Sequence, residues 1–243
     1  MSKPFIVIHL RPEDAAADNE LESIMHYAGL SKPEVVRLRA EQGIPELDLS
    51  RYSGIIAGGS PYDVCTPEDK KSPTQIQVEA DFNRLFDKLI KQDFPFIGSC
   101  CGNAMLGNYL GASISRKYGE PVSGVDLQLT TAGKQDPLLQ GIPTQFRVLL
   151  GHKEACDDTP PGSVLLAKGS QCLVQMFRVG QNIYATQFHP EGDPESFTFR
   201  IGIYKDHGYF PPETADQLSA SLQGEHTPHA HQILKNFVNR YRV

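Results

Sequence analysis

Dense basic runs are missing from this 243-residue chain, in which 23 Lys and Arg stand against 29 Asp and Glu for a formal charge of −6. The isoelectric point is near 5.7. Phosphate binding needs a basic face, and Arg178, Arg200, Lys205, Arg240 and Arg242 are scattered. Nucleic acid is therefore not expected as a partner. Cysteines are few and odd in number: Cys65, Cys100, Cys101, Cys156 and Cys172. No pair has Cys-x-x-Cys spacing, which argues against a disulfide framework or a zinc motif and fits a reducing compartment. No metal or cofactor is expected. Long apolar runs are also absent. The run over residues 5–10 is too short to cross a membrane. The start, Met1-Ser2-Lys3-Pro4, lacks the pattern of a signal peptide. The expectation is a cytoplasmic protein without a membrane partner. No repeat, low-complexity tract or linker interrupts the chain, so residues 1–243 are expected to form one domain.

What is there alternates. Strand-like segments at 5–10, 34–39, 54–57 and 94–98 are separated by helix-like ones at 21–28 and 75–91, and a further helix follows at 103–110. In the 75–91 segment Val78, Phe82, Leu85, Phe86 and Leu89 recur at helical spacing. This rhythm predicts a flavodoxin-like α/β fold, a mostly parallel sheet with helices on both faces. The middle of the chain changes character. Strand candidates at 122–130, 146–150, 164–167, 173–179 and 183–188 follow one another with turn signals between, which predicts an added antiparallel β portion. Helices are expected again at 195–205, 214–222 and 229–241.

The segment Phe94-Pro95-Phe96-Ile97-Gly98-Ser99-Cys100-Cys101-Gly102-Asn103-Ala104 reads as an apolar strand turning sharply into a helix. Gly98 and Gly102 flank Cys100 in a Gly-x-nucleophile-x-Gly elbow, with Cys in place of Ser. Glycine on either side would relieve crowding around a strained apex. The helix N-terminus that follows favours thiolate over thiol, and its free N–H groups can receive an oxyanion. The segment alone leaves open a second reading, two buried cysteines in a tight turn. Cys101 is expected to pack rather than to act as a second nucleophile.

Among the histidines, only His189 ends a long apolar strand just before a breaker, in Phe188-His189-Pro190-Glu191. Groups at strand ends collect at the active sites of parallel sheets. Glu191, two residues on, points to the same side and can accept from one imidazole nitrogen while the other faces a thiol. A surface His-Pro-Glu turn is the alternative. A third segment, Gly54-Ile55-Ile56-Ala57-Gly58-Gly59-Ser60-Pro61, is a strand ending in glycines. A backbone N–H there can join that of Cys101 in a two-donor oxyanion hole. No Gly-Lys-Ser/Thr follows, so it is not a phosphate loop.

These three segments in this order resemble the class I glutamine amidotransferase family, over residues 5–191. The tail beyond, with His207-Gly208-Tyr209-Phe210-Pro211-Pro212, resembles stand-alone proteins related to the glutaminase domain of GMP synthase. The resemblance implies Cys100 as nucleophile, His189 as acid/base and Glu191 as its orienter. It implies Gly59 and Cys101 as oxyanion donors, and Gly58, Ser60 and position 104 beside the substrate. His152 would be a wall residue at most. The implied substrate is glutamine or a γ-glutamyl amide, opened through a thioester. One departure matters. Family members that hydrolyse glutamine usually read Cys-x-Gly-x-Gln, and here Ala104 offers no amide. That favours a modified γ-glutamyl compound over free glutamine. No synthetase domain is present, so an ammonia acceptor would be another protein, unless the chain is a plain γ-glutamyl peptidase or amidase. A non-catalytic binding protein that keeps the fold is the remaining expectation. A Cys-type α/β-hydrolase would place its acid well before the histidine, whereas Glu191 follows His189.

Overall fold

A computed structural model describes residues 3–207 and 210–243. Met1-Ser2, and the Gly208-Tyr209 part of the tail motif, lie outside the described residues. Strand β1 (Phe5–His9) is flanked by β2 (Val35–Arg39) and β3 (Gly54–Ala57), and β4 (Phe96–Ser99) lies beside β3. Helix α1 is Asp14–Ala28, α2 is Pro73–Gln92 and α3 is Cys101–Tyr109. The second half supplies β5 (Ile114–Ser115), β6 (Glu120–Leu129), α4 (Thr131–Gln135), β7 (Gln145–His152) and β8 (Ala155–Cys156). It continues with β9 (Ser163–Lys168), β10 (Met176–Val179), β11 (Ile183–Thr186), α5 (Pro194–Tyr204), α6 (Ala215–Ser221) and α7 (Pro228–Tyr241).

Nine of the described strands form one sheet in the order β2-β1-β3-β4-β11-β10-β9-β6-β7. Pairings from β2 through β4 to β11 are parallel, and those from β11 to β7 are antiparallel. The sheet thus has the expected flavodoxin-like half and the expected antiparallel addition. Successive residues of a strand face opposite ways, and β1 divides accordingly. Phe5 and Val7 join one core with Ile24 of α1 and Ile233, Leu234 and Phe237 of α7. Ile6 and Ile8 join the other with Phe82 and Phe86 of α2 and Leu106 of α3. Each such side chain contributes roughly 1.5–3 kcal/mol when fully buried. A third, smaller cluster packs Phe197, Ile201 and Ala215 of α5 and α6 against Leu149 of β7. No described helix is long and apolar enough to cross a membrane.

Several elements depart from the sequence-based expectation. Helix α1 starts at Asp14 rather than residue 21, because its first turns are alanine-rich and carry no large apolar residue to mark the period. Strand β10 begins only at Met176. The residues before it form a loop in which the Gly169 N–H donates to the Cys172 carbonyl at 2.9 Å. Strand β6 starts at Glu120, and the two-residue pair β5·β8 makes a separate small sheet.

Candidate active site

Cys100 stands where β4 passes into α3, at φ 53° and ψ −96°. Positive φ in a non-glycine residue stores about 1–3 kcal/mol, and the neighbouring strand holds it in place. The Cys100 N–H donates to the Thr186 carbonyl at 2.7 Å. The Cys100 carbonyl accepts from the N–H groups of Asn103 (2.9 Å) and Ala104 (3.3 Å), which starts the helix. The N–H groups of Cys101 and Gly102 precede those bonds and belong to the open N-terminal turn. Gly98 is required: a β-carbon there would stand 2.9 Å from the Phe96 ring and 3.1 Å from the Gly102 Cα. Gly102 is not. A β-carbon there meets nothing within 4 Å, so crowding explains one of the two elbow glycines, not both.

β11 delivers His189 next to this elbow. The His189 N–H is tied to the Leu149 carbonyl at 3.1 Å. Nδ1 lies 2.8 Å from Glu191 Oε1. A carboxylate only accepts, so Nδ1 carries a proton and the other ring nitrogen is left for the Cys100 side chain, which acts electrostatically on the imidazole. Both His189 and Glu191 are buried. Burial alone would lower the imidazole, but Glu191 and Cys100 outweigh it and push it up to about 9. Burial likewise would raise Glu191, yet His189 and Arg200 hold its carboxyl well below the ordinary range. Arg200 Nη1 donates to Glu191 Oε1 at 3.1 Å, and Arg200 Nε donates to Asn19 Oδ1 at 3.1 Å.

A second buried network lies beneath the glycine loop. Glu20 Oε1 accepts from Arg11 Nε at 2.8 Å and from the Gly59 N–H at 3.1 Å, while Oε2 meets His9 Nδ1 at 2.8 Å. Burial would raise the Glu20 carboxyl, but Arg11 and His9 pull it far below its ordinary value. The Gly59 N–H is thus occupied by a carboxylate. A β-carbon on Gly59 would stand 2.6 Å from His189 Cε1 and 2.7 Å from Arg11 Nη2, so only glycine lets imidazole and guanidinium approach this closely. A β-carbon on Gly58 would run into the Glu20 carboxylate.

Cys100, His189 and Ser60 line a cavity of about 700 Å³ with Arg11, Arg116 and Arg200. Part of its lining is apolar, built by Phe197, Ile201, Phe210 and Leu218, and the Phe197 ring meets the His189 ring edge-on at 5.4 Å. His152 lines it too. Gly59 borders the imidazole, and Gly58 sits behind it against Glu20. Ala104 does not reach the cavity. It is buried in the core with Met105 and Leu106, as is Cys101, whose Sγ faces the Tyr62 carbonyl at 3.8 Å. Arg11, Glu20 and Arg200 were not anticipated. A signal existed for Glu20, which interrupts the buried face of α1 made by Ala16, Ala17 and Ile24.

A half-parallel sheet with a cysteine elbow and a His-x-Glu strand end defines a class. The model of the glutamine amidotransferase class-I family matches residues 16–201, and the chain belongs to that family. It is 27% identical over 186 residues to γ-glutamyl peptidase 3 of Arabidopsis thaliana, covering 73% of this chain and 70% of that protein. It is 26% identical over 170 residues to the glutamine-hydrolyzing GMP synthase subunit of Sulfolobus acidocaldarius, covering 69% of this chain and 79% of that one. The chain spans only 27% of the length of the GMP synthase of Wolbachia pipientis wMel, to which it is 25% identical over 155 residues. A solved glutamine amidotransferase structure from Thermotoga maritima superposes with a TM-score of 0.77 at 21% identity, covering 98% of both chains.

Proposed function

We propose that this protein is a cysteine-dependent hydrolase of γ-glutamyl amides, with Cys100, His189 and Glu191 as its triad. The observation that carries this reading is the buried Glu191–His189 hydrogen bond, with His189 and Cys100 both lining one large cavity. The Cys100 thiolate attacks the γ-amide carbonyl and forms the C–S bond. The resulting oxyanion is received by the Cys101 N–H at the start of α3. Gly59 becomes the second donor when its N–H exchanges Glu20 for the oxyanion. As the C–N bond breaks, His189 gives its proton to the leaving nitrogen. Water, deprotonated by His189, then opens the thioester and returns Cys100 as thiolate, releasing the γ-carboxylate. Glu191, held by Arg200, keeps the imidazole oriented and charged between these transfers.

The cavity favours a substrate larger than glutamine. A volume of about 700 Å³ is that of a pocket for a drug-sized ligand, and its apolar wall suits the leaving amine rather than the charged glutamyl end. Similarity to a γ-glutamyl peptidase agrees with that preference. The second reading, glutamine hydrolysis with ammonia passed to a synthetase partner, draws on the similarity to the glutamine-hydrolyzing GMP synthase subunit.

Purified protein assayed without a partner on glutamine and on γ-glutamyl dipeptides separates the two. Turnover of dipeptides, abolished in Cys100→Ser, is the expected result. Turnover of glutamine alone, and only after a synthetase is added, would sink the first reading. An electrophilic glutamine analogue should label Cys100 faster than Cys65 or Cys172. Equal rates at the three would indicate a non-catalytic protein.

A further inference from the structure

Glu120, His152 and Cys172 meet in the cavity wall, and the hydrolysis described above uses none of them. Glu120 opens β6 and is paired in register with His152 at the end of β7. Cys172 comes from the loop between β9 and β10. One ligating atom of each lies within 4.8 Å of the other two, and all three residues are buried. The loop is shaped for this approach. A β-carbon on Gly169 would stand 2.9 Å from the Cys172 carbonyl oxygen and 3.2 Å from Gln175 Nε2.

Hydrogen bonds fix how these atoms point. His152 Nδ1 is 2.9 Å from the Glu154 carbonyl oxygen, which only accepts, so Nδ1 carries the proton. Nε2 faces Glu120 Oε2 at 3.0 Å. Two lone pairs facing each other require a proton or a cation between them. An Nδ1–H bonded to a backbone carbonyl is the outer-shell arrangement that orients metal-binding histidines and leaves Nε2 for the ion. In tetrahedral zinc sites, with Zn–N and Zn–O near 2.0 Å, such a nitrogen and oxygen are separated by roughly 3.3 Å. Gln175 supplies an independent observation. Its Nε2 donates to Glu120 Oε2 at 2.6 Å, but its Oε1 is buried without a hydrogen-bond partner. A buried acceptor left without a donor is costly, and a cation at this point would serve it.

We propose that Glu120, His152 and Cys172 form a binding site for a zinc-like divalent cation in the cavity wall, with Gln175 Oε1 or a water as the fourth donor. Thiolate, imidazole and carboxylate together suit zinc over magnesium or calcium. The Cys172 thiol releases its proton to solvent as the ion binds. Glu120 and His152 line the cavity, which is the ion's way in. The site clamps the 169–175 loop to the ends of β6 and β7, and it does not depend on the hydrolase reading.

The test uses Cys100→Ser protein, which removes the competing thiol of the triad. Cobalt(II) is titrated in and its thiolate charge-transfer absorption is followed. One equivalent with a thiolate band, displaced by zinc and accompanied by a higher melting temperature, is expected. Adding Cys172→Ser should abolish the band and the thermal shift. If that variant does not fold, Glu120→Gln in the Cys100→Ser background should keep the band but weaken cobalt binding by at least about tenfold. Absence of a band in Cys100→Ser, a band that survives Cys172→Ser, or unchanged affinity in Glu120→Gln would overturn the proposal.

Discussion

His189 and Glu191 form a buried pair whose charges support each other, and the signs of their shifts define a pH window. The imidazole is raised from 6.5 to about 9. Its contribution to stability is therefore complete below about pH 6.5 and is lost as pH rises through about 9. Glu191 is lowered from 4.5 to about 2, so its contribution is complete above about pH 4.5 and is lost as pH falls through about 2. The pair supports the fold fully only between those two ordinary values. Glu191→Gln should lower the imidazole titration, read by NMR, and reduce kcat by about 10²–10⁴-fold. An imidazole that still titrates near 9 would refute the coupling. Cys100, His189 and Glu191 were legible because each sits at local punctuation, an elbow or a strand end. Arg11, Glu20 and Arg200 were not, because their partners are brought together only by tertiary packing. Glu191 and Arg200 are nine residues apart, linked across the start of α5.

The glycine loop after β3 answers to two different neighbours, and its two glycines should fail differently. Gly58→Ala drives a methyl into the buried Glu20 carboxylate and should destabilise the fold by about 1–3 kcal/mol, measured by denaturant unfolding. Gly59→Ala presses on the His189 ring instead. It should cost about 10²-fold in kcat through a displaced imidazole, with a smaller loss in melting temperature than Gly58→Ala. Equal thermal losses with unchanged kcat in Gly59→Ala would contradict this division. At this scale the sequence located nearly every helix and strand, but not their ends. The Ala15-Ala16-Ala17 run hid the first turns of α1. The apolar Leu173 and Val174 suggested strand where the chain forms the loop around Cys172. The β5·β8 pair is two residues long, too short for any alternation to register.

For the whole molecule, the parallel half carries the elbow, and the antiparallel half adds Glu120, Val122 and His152 to the cavity lining. The family match ends at residue 201, yet Phe210, Thr214, Leu218 and Ser221 line the cavity from beyond it. Cys100, His189 and Glu191 therefore lie inside the stretch matched by the family model, while part of the wall lies beyond it. Leu218→Ala should raise KM about tenfold for γ-glutamyl amides with bulky apolar leaving groups and leave glutamine or small dipeptides unaffected. A uniform change across all substrates would mean that Leu218 only supports the fold. The periodicity over 214–222 was enough to find the helix, but nothing in the sequence told that its residues line the same cavity as Cys100.

The Gly59 N–H already donates to Glu20 at 3.1 Å. On the proposed mechanism, a tetrahedral mimic bound to Cys100 evicts that carboxylate before it gains its second donor. Inhibition by aldehydes or other reversible thiol-trapping analogues should accordingly develop in two phases, a fast weak encounter followed by slow tightening. Weakening the Glu20 hold, as in Glu20→Gln, should merge those phases into one.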